Sequence, residues 1–235
     1  VYKISSTITL PERVDIRGAG RNTTTLTMLP GMDSAFGMFC CRNGGWNEFS
    51  DLSFVGNGVS SLSDGVGAVS VPLDSNATKA AGPVGIRDCR LSGFQNDNWI
   101  KVRNDGSFPI GTVTIEGNEF ISVMGNSRFY DDQPDIMAAF IQAWGSHTNS
   151  QGSIAKLIIR DNYFDGTGIA GAAVKSWQNV LETVCDDNEF FDVCQGVTAI
   201  LNVYVVLLYT QGGTPNGGGS FCNNTVRNRY GAIGP

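Results

Sequence analysis

The sequence predicts an all-β solenoid, about six to seven coils of parallel strands stacked into one long domain. Two observations predict it. The chain has 30 glycines and only 16% charged residues, a balance that suits short strands joined by many turns. It also repeats a six-residue pattern: apolar, two mostly polar residues, usually Asn, one polar residue, apolar. The clearest copy is Ile159-Arg160-Asp161-Asn162-Tyr163-Phe164, with relatives starting at Ile86, Ile115 and Cys185 and weaker copies starting at Phe49 and Phe221. The fourth position falls at Leu52, Cys89, Asn118, Asn162, Asn188 and Asn224. The copies are unevenly spaced although the motif is constant, so strands of fixed content must be joined by loops of variable length. Rungs of a parallel stack lie about 4.8 Å apart. An Asn repeated in one column can therefore bond the amides above and below it and satisfy buried polar groups.

The opening residues alternate as strands do: Tyr2-Lys3-Ile4, Thr7-Ile8-Thr9-Leu10-Pro11, Val14-Asp15-Ile16-Arg17-Gly18, then Thr23–Thr27. Gly18-Ala19-Gly20 reads as a turn between coils, since a phosphate loop would need a third glycine and a helix after it. The order Tyr2 to Pro11, then Val14 to Gly20, then Thr25-Leu26, resembles the first coils of the pectate-lyase-like right-handed parallel β-helix superfamily. That group includes bacterial polysaccharide lyases and hydrolases and bacteriophage tailspikes. The resemblance implies a right-handed coil and a polysaccharide as partner.

A second family of strands precedes the later motif copies. Ile100-Lys101-Val102-Arg103, Ile141-Gln142-Ala143-Trp144 and Val174-Lys175-Ser176-Trp177 align on their last residues. Alternation puts Ile100, Ile141 and Val174 inside, with Val102, Ala143 and Ser176. Lys101, Gln142 and Lys175 then point out, beside Arg103, Trp144 and Trp177. Val69-Ser70-Val71 and Thr198-Ala199-Ile200 extend this sheet. Loops leave the coil at 57–63, 75–82, 125–135, 145–153 and 211–220, segments rich in Gly, Asn, Ser and Asp.

Residues 1–235 read as a single domain and as part of a longer protein. The net charge of -6, with no basic stripe, argues against nucleic acid as a partner. No apolar run approaches the roughly 18 residues of a membrane-spanning helix, so membrane insertion is not expected. The longest run, Val203 to Tyr209, reads as a buried strand. The six cysteines include no CxxC pair. Cys89 and Cys185 sit in motif columns and read as small interior fillers, with free core thiols favoured over a disulfide framework.

The outward residues Lys101, Arg103, Gln142, Trp144, Lys175 and Trp177 are the expected glycan-binding set. Indoles stack on the apolar faces of sugar rings, and Lys, Arg and Gln bond hydroxyls and carboxylates. The alternative is that the Trp side chains lie under a loop as a satellite core. The second motif position stacks Arg87, Glu116, Arg160 and Asp186, which reads as a surface salt-bridge ladder. In the resembled lyases an aspartate two residues before the Asn position helps to bind calcium, and only Asp186 resembles that placement here. The lyases' aspartate–histidine pair and arginine–proline signature are absent, as are the polygalacturonase signatures.

Phe129 to Asp135 gathers Asp131, Asp132 and Asp135 in one loop. Glycoside hydrolysis needs two carboxylates roughly 5–9 Å apart, so this loop is the candidate catalytic group, with Asp105 or Asp165 as the acid across the groove. No cofactor is expected, although the carboxylates of the acidic loop could equally bind calcium or simply be solvated. His147, the only histidine, lies in a polar loop and is not assigned a role. Three functions follow in order of preference. The first is a phage tailspike or virion fibre domain, a homotrimer located in the virion tail, that binds and in some cases depolymerises a bacterial surface polysaccharide. The second is a secreted polysaccharide lyase or glycoside hydrolase. The third is a non-catalytic structural or adhesive β-helix.

Overall fold

The structure is a computed structural model. It describes residues 1–32, 36–42, 45–57, 66–94, 98–122, 139–146, 151–166, 172–193, 206–209 and 217–227. The first coil consists of β1 (Tyr2–Ile4), β2 (Ile8–Thr9) and β3 (Asp15–Arg17), and the second of β4 (Thr25–Met28), β5 (Phe39–Cys40) and β6 (Asn47–Ser50). The third holds β7 (Ser53–Val55), β8 (Val66–Leu73) and β9 (Val84–Arg87). The fourth holds β10 (Arg90–Ser92), β11 (Asn98–Asn104) and β12 (Ile110–Glu116). Next come β13 (Glu119–Ile121), β14 (Ala139–Trp144) and β15 (Ile154–Arg160), then β16 (Tyr163–Asp165), β17 (Ala172–Trp177) and β18 (Glu182–Asp186). The seventh coil has β19 (Glu189–Phe191), β20 (Val206–Tyr209) and β21 (Gly218–Ser220), and β22 (Thr225–Arg227) begins an eighth.

Each coil gives one strand to each of three parallel sheets. Sheet A runs from β1 to β22, sheet B from β2 to β20 and sheet C from β3 to β21, every third strand pairing with the next. This is a right-handed parallel β-helix, and its seven coils lie within the expected range. No helix among the described residues is long and apolar enough to cross a membrane.

The six-residue motif is the corner from sheet C to sheet A. Its first apolar column, Phe49, Ile86, Ile115, Ile159 and Cys185, lies next to last in the sheet C strands and is buried, whereas Phe221 of the last copy is exposed. Its last column is Phe54, Leu91, Phe120, Phe164 and Phe190 on sheet A, in register from rung to rung. The rings of Phe120, Phe164 and Phe190 stack at 4.6 and 4.9 Å, close to the strand spacing, so the rungs set the ring contacts.

Between these columns lies the asparagine ladder. The Oδ1 atoms of Asn118, Asn162, Asn188 and Asn224 accept the backbone N–H of Cys89, Asn118, Asn162 and Asn188 at 2.9–3.0 Å. The Nδ2 groups of Asn118, Asn162 and Asn188 donate to the next Oδ1 at 3.0 Å and also to the carbonyls of Ile86, Ile115 and Ile159. Each amide thus satisfies a corner backbone donor and an acceptor that the sheets leave open. The residue before the ladder is Asp51, Asp88, Gly117, Asp161, Asp187 or Asn223, with φ between 50 and 67°. Only glycine or a short polar side chain tolerates that conformation readily, which explains the third motif position. At the first such corner, Gly18 approaches the next coil so closely that a Cβ would lie 2.1 Å from the Asp51 carbonyl oxygen.

The corner from C to A is short in most coils, so the length variation falls at the two ends of sheet B. One expected strand is displaced. The rung after β17 is β20, with Val174 opposite Val206, and not Thr198–Ile200, which lies outside the described residues. The run 203–209 was the stronger strand signal, and its described part takes that rung. The described cysteines are all free: Cys40, Cys41, Cys89 and Cys185 are buried and Cys222 is exposed.

Candidate functional site

Sheet B places the predicted glycan-binding residues together. Ile100, Lys101, Val102 and Arg103 lie opposite Ile141, Gln142, Ala143 and Trp144, and Ile141 to Trp144 lie opposite Val174 to Trp177, the register read from the sequence. Ile100, Val102, Ile141, Ala143 and Val174 enter the core cluster. Lys101, Arg103, Gln142, Trp144, Lys175 and Trp177 occupy the alternate, outer positions. On the same strands, Ser70 and Pro72 of β8 continue the two outer columns past Lys101 and Arg103.

The outer face is not an open surface. Lys101 is 5%, Gln142 2% and Lys175 2% exposed, and Trp177 is also buried. Alternation identifies the face on which these side chains stand, but whether that face is covered depends on the rest of the chain. The expectation that all six would face solvent is therefore corrected. Trp144 and Arg103 remain half-buried.

The two indoles are already stacked on each other, with ring centroids 5.0 Å apart and planes at 18°. The Arg103 guanidinium lies 5.4 Å from the Trp144 ring, and the Lys175 ammonium lies 4.0 Å from the Trp177 ring. A cation over an indole face is attracted by the ring quadrupole, so the four side chains form one cation–indole–indole–cation cluster. Trp144 Nε1 donates to Gln178 Oε1 at 2.9 Å, fixing the rotation of its ring. Arg103 also pairs with Asp105 at 2.8 Å, and both of these side chains are substantially exposed. A buried acceptor, Gln142 Oε1, has no donor among the described residues. The exposed part of the arrangement is therefore the edge of Trp144 with the Arg103–Asp105 pair beside it.

A second, related cluster lies on an earlier coil at the same end of sheet B. Arg42 pairs with Asp74 at 2.9 Å and lies 5.3 Å from the Phe36 ring. Sequence inspection missed it because Arg42 follows the short strand β5 and its partners come from two different connections.

The predicted charge ladder forms on sheet C. Arg87 pairs with Glu116 and Glu48, and Arg160 pairs with Glu116 at 2.7 Å. The Asp186 carboxylate instead accepts from Ser220 Oγ and the Cys222 backbone N–H, both at 2.8 Å. A neighbouring ladder on sheet A, where Glu119 receives Arg90 and Arg21, went unread in the sequence. Asp131, Asp132, Asp135 and His147 lie outside the described residues. Asp105 follows β11 on sheet B, whereas Asp165 ends β16 on sheet A. Among the described residues, no group of three His, Cys, Asp or Glu side chains is placed to hold a metal ion.

Comparison with protein-family models, curated proteins and solved structures finds no match to this chain. The three parallel sheets establish the β-helix architecture. A function must be argued from the site's own chemistry, because one architecture hosts many functions.

Proposed function

We propose that the chain is a polysaccharide-binding β-helix of the phage tailspike or virion-fibre type, which holds a bacterial surface glycan at the outer face of sheet B. The observation that carries this reading is the fixed Trp144–Trp177 stack with the Arg103–Asp105 pair at its exposed edge. An immobilised indole edge offers apolar contact to a sugar ring, and the ion pair offers a donor and an acceptor to neighbouring hydroxyls. Lys101, Gln142 and Lys175 form the adjacent, buried column of the same face.

In this reading the solenoid is a rigid fibre segment, assembled as a homotrimer in the virion tail, and its stability comes from the ladders. Asp131, Asp132 and Asp135 are the proposed catalytic carboxylates if the glycan is also cut. The test is to incubate the protein with purified O-antigen and capsular polysaccharides and score depletion from solution together with the products. Binding that Trp144→Ala weakens about tenfold, with an unchanged melting profile, supports the site. New reducing ends that Asp131→Asn and Asp132→Asn abolish support hydrolysis. Ultraviolet-absorbing unsaturated ends indicate a lyase instead. Retained binding in Trp144→Ala removes the sheet B site.

A further inference from the structure

A second aromatic platform stands on sheet C. The register of β3, β6 and β9 puts Arg13, Trp46 and Pro83 in one column, just before the strands begin. All three are exposed, Trp46 by 57%, whereas Trp99 and Trp177 are buried. The Trp46 backbone has φ 61° and Arg13, at the same position of the preceding coil, has φ 62°, so a left-handed turn before the sheet C strand sets the direction of both side chains.

Three contacts hold the indole in place. Its backbone N–H donates to the Pro83 carbonyl on the next coil. Gly82 passes directly against the ring, because a Cβ there would fall 2.3 Å from Cδ1 and Nε1. On the other neighbouring coil, the Arg13 guanidinium lies 5.8 Å from the ring centroid. The ring is therefore exposed and preorganised.

Its surroundings are polar. Glu48 follows two residues on, on the same outer face, within 3.4 Å of Arg87, and Glu12 pairs with Lys79 across the neighbouring coils. The other exposed large hydrophobic side chains among the described residues lie elsewhere: Val1 and Tyr2 at the start of the chain, Ile8 on sheet B, Phe108 and Leu181 in connections of later coils, and Phe221 between β21 and β22. A protein-binding patch would surround its anchor with further apolar area. A single fixed indole ringed by carboxylates and cations suits a sugar, which has an apolar ring face and a hydroxyl rim.

We infer that Trp46 is the platform of a second glycan subsite, which stacks a hexose ring of the same class of polysaccharide. Arg13 and Glu48 are placed to bond that sugar's hydroxyls. The inference rests on the polysaccharide reading, but it does not depend on the sheet B site.

The test incorporates 5-fluorotryptophan into the full chain, giving one fluorine signal for each of the four tryptophans. The signals are assigned with single Trp→Phe variants, and the protein is titrated with purified O-antigen and capsular polysaccharides. The Trp46 signal is expected to shift saturably, and Trp46→Ala to weaken binding about three- to tenfold. Trp46→Gly suits the backbone conformation, so it should lose the same affinity while melting no earlier than the parent. A stationary Trp46 signal while that of Trp144 shifts overturns the second subsite and leaves the sheet B site standing. If no polysaccharide moves either signal, both are overturned. A Trp46 shift that follows protein concentration without glycan marks contact between copies and also overturns the inference.

Discussion

Replacing Asn162 by alanine tests what holds the solenoid together. Asn162 is 2% exposed, and its amide makes four hydrogen bonds. Its Oδ1 accepts from the backbone N–H and the Nδ2 of Asn118, and its Nδ2 donates to Ile115 O and Asn188 Oδ1, all at 2.9–3.0 Å. After truncation, Asn118 Nδ2 retains Ile86 O, and Asn188 Oδ1 retains the Asn162 backbone N–H. The Asn118 backbone N–H loses its side-chain acceptor, and Ile115 O loses its side-chain donor. Each buried group left unsatisfied costs about 1–3 kcal/mol, so Asn162→Ala should destabilise the fold by roughly 2–6 kcal/mol. Asn224 is only half-buried and water can replace part of its bonding, so Asn224→Ala should cost about 1 kcal/mol. Urea titrations followed by far-ultraviolet circular dichroism measure both, with a check for single-step unfolding because stacked repeats can unfold in parts. Equal losses in the two variants, or no loss in Asn162→Ala, would refute the ladder as a source of stability.

Three further outcomes follow from the same geometry. Glu116→Gln breaks the pairs with Arg87 and Arg160 at a solvent-facing ladder, and the urea midpoint should move by no more than about 1 kcal/mol in stability. In thiol labelling at mildly alkaline pH, Cys222 should react in the native protein, while Cys40, Cys41, Cys89 and Cys185 should react only after unfolding. Burial pushes the Cys41, Cys89 and Cys185 thiols from 9.0 up to about 12, so the fold keeps protons that the unfolded chain releases. Their contribution to stability is complete below pH 9 and is lost as the pH rises towards 12, and urea midpoints across that window should show a slope that a Cys41/Cys89/Cys185→Ala variant reduces.

Much of the scaffold was legible because it repeats. The motif columns located the sheet C to sheet A corner, and alignment on Arg103, Trp144 and Trp177 gave the sheet B register directly. Aspartates before the ladder carried a left-handed-turn signal that a search for apolar periodicity passes over. The site was less legible. Alternation shows which side of a strand Lys101 and Lys175 occupy, but it does not show that this side is covered. Trp46 gave no signal at all, since it belongs to no repeated strand and its importance comes from a backbone angle and from Gly82 on the next coil.

The central functional claim is that a bacterial surface polysaccharide binds at the edge of the Trp144–Trp177 stack. Calorimetric titration of purified O-antigen and capsular polysaccharides into the intact chain and into Trp144→Ala tests it most directly. The expected result is saturable binding by the parent chain to at least one polysaccharide, weakened about tenfold in Trp144→Ala. No binding across the panel, or equal affinity in the two proteins, would contradict it.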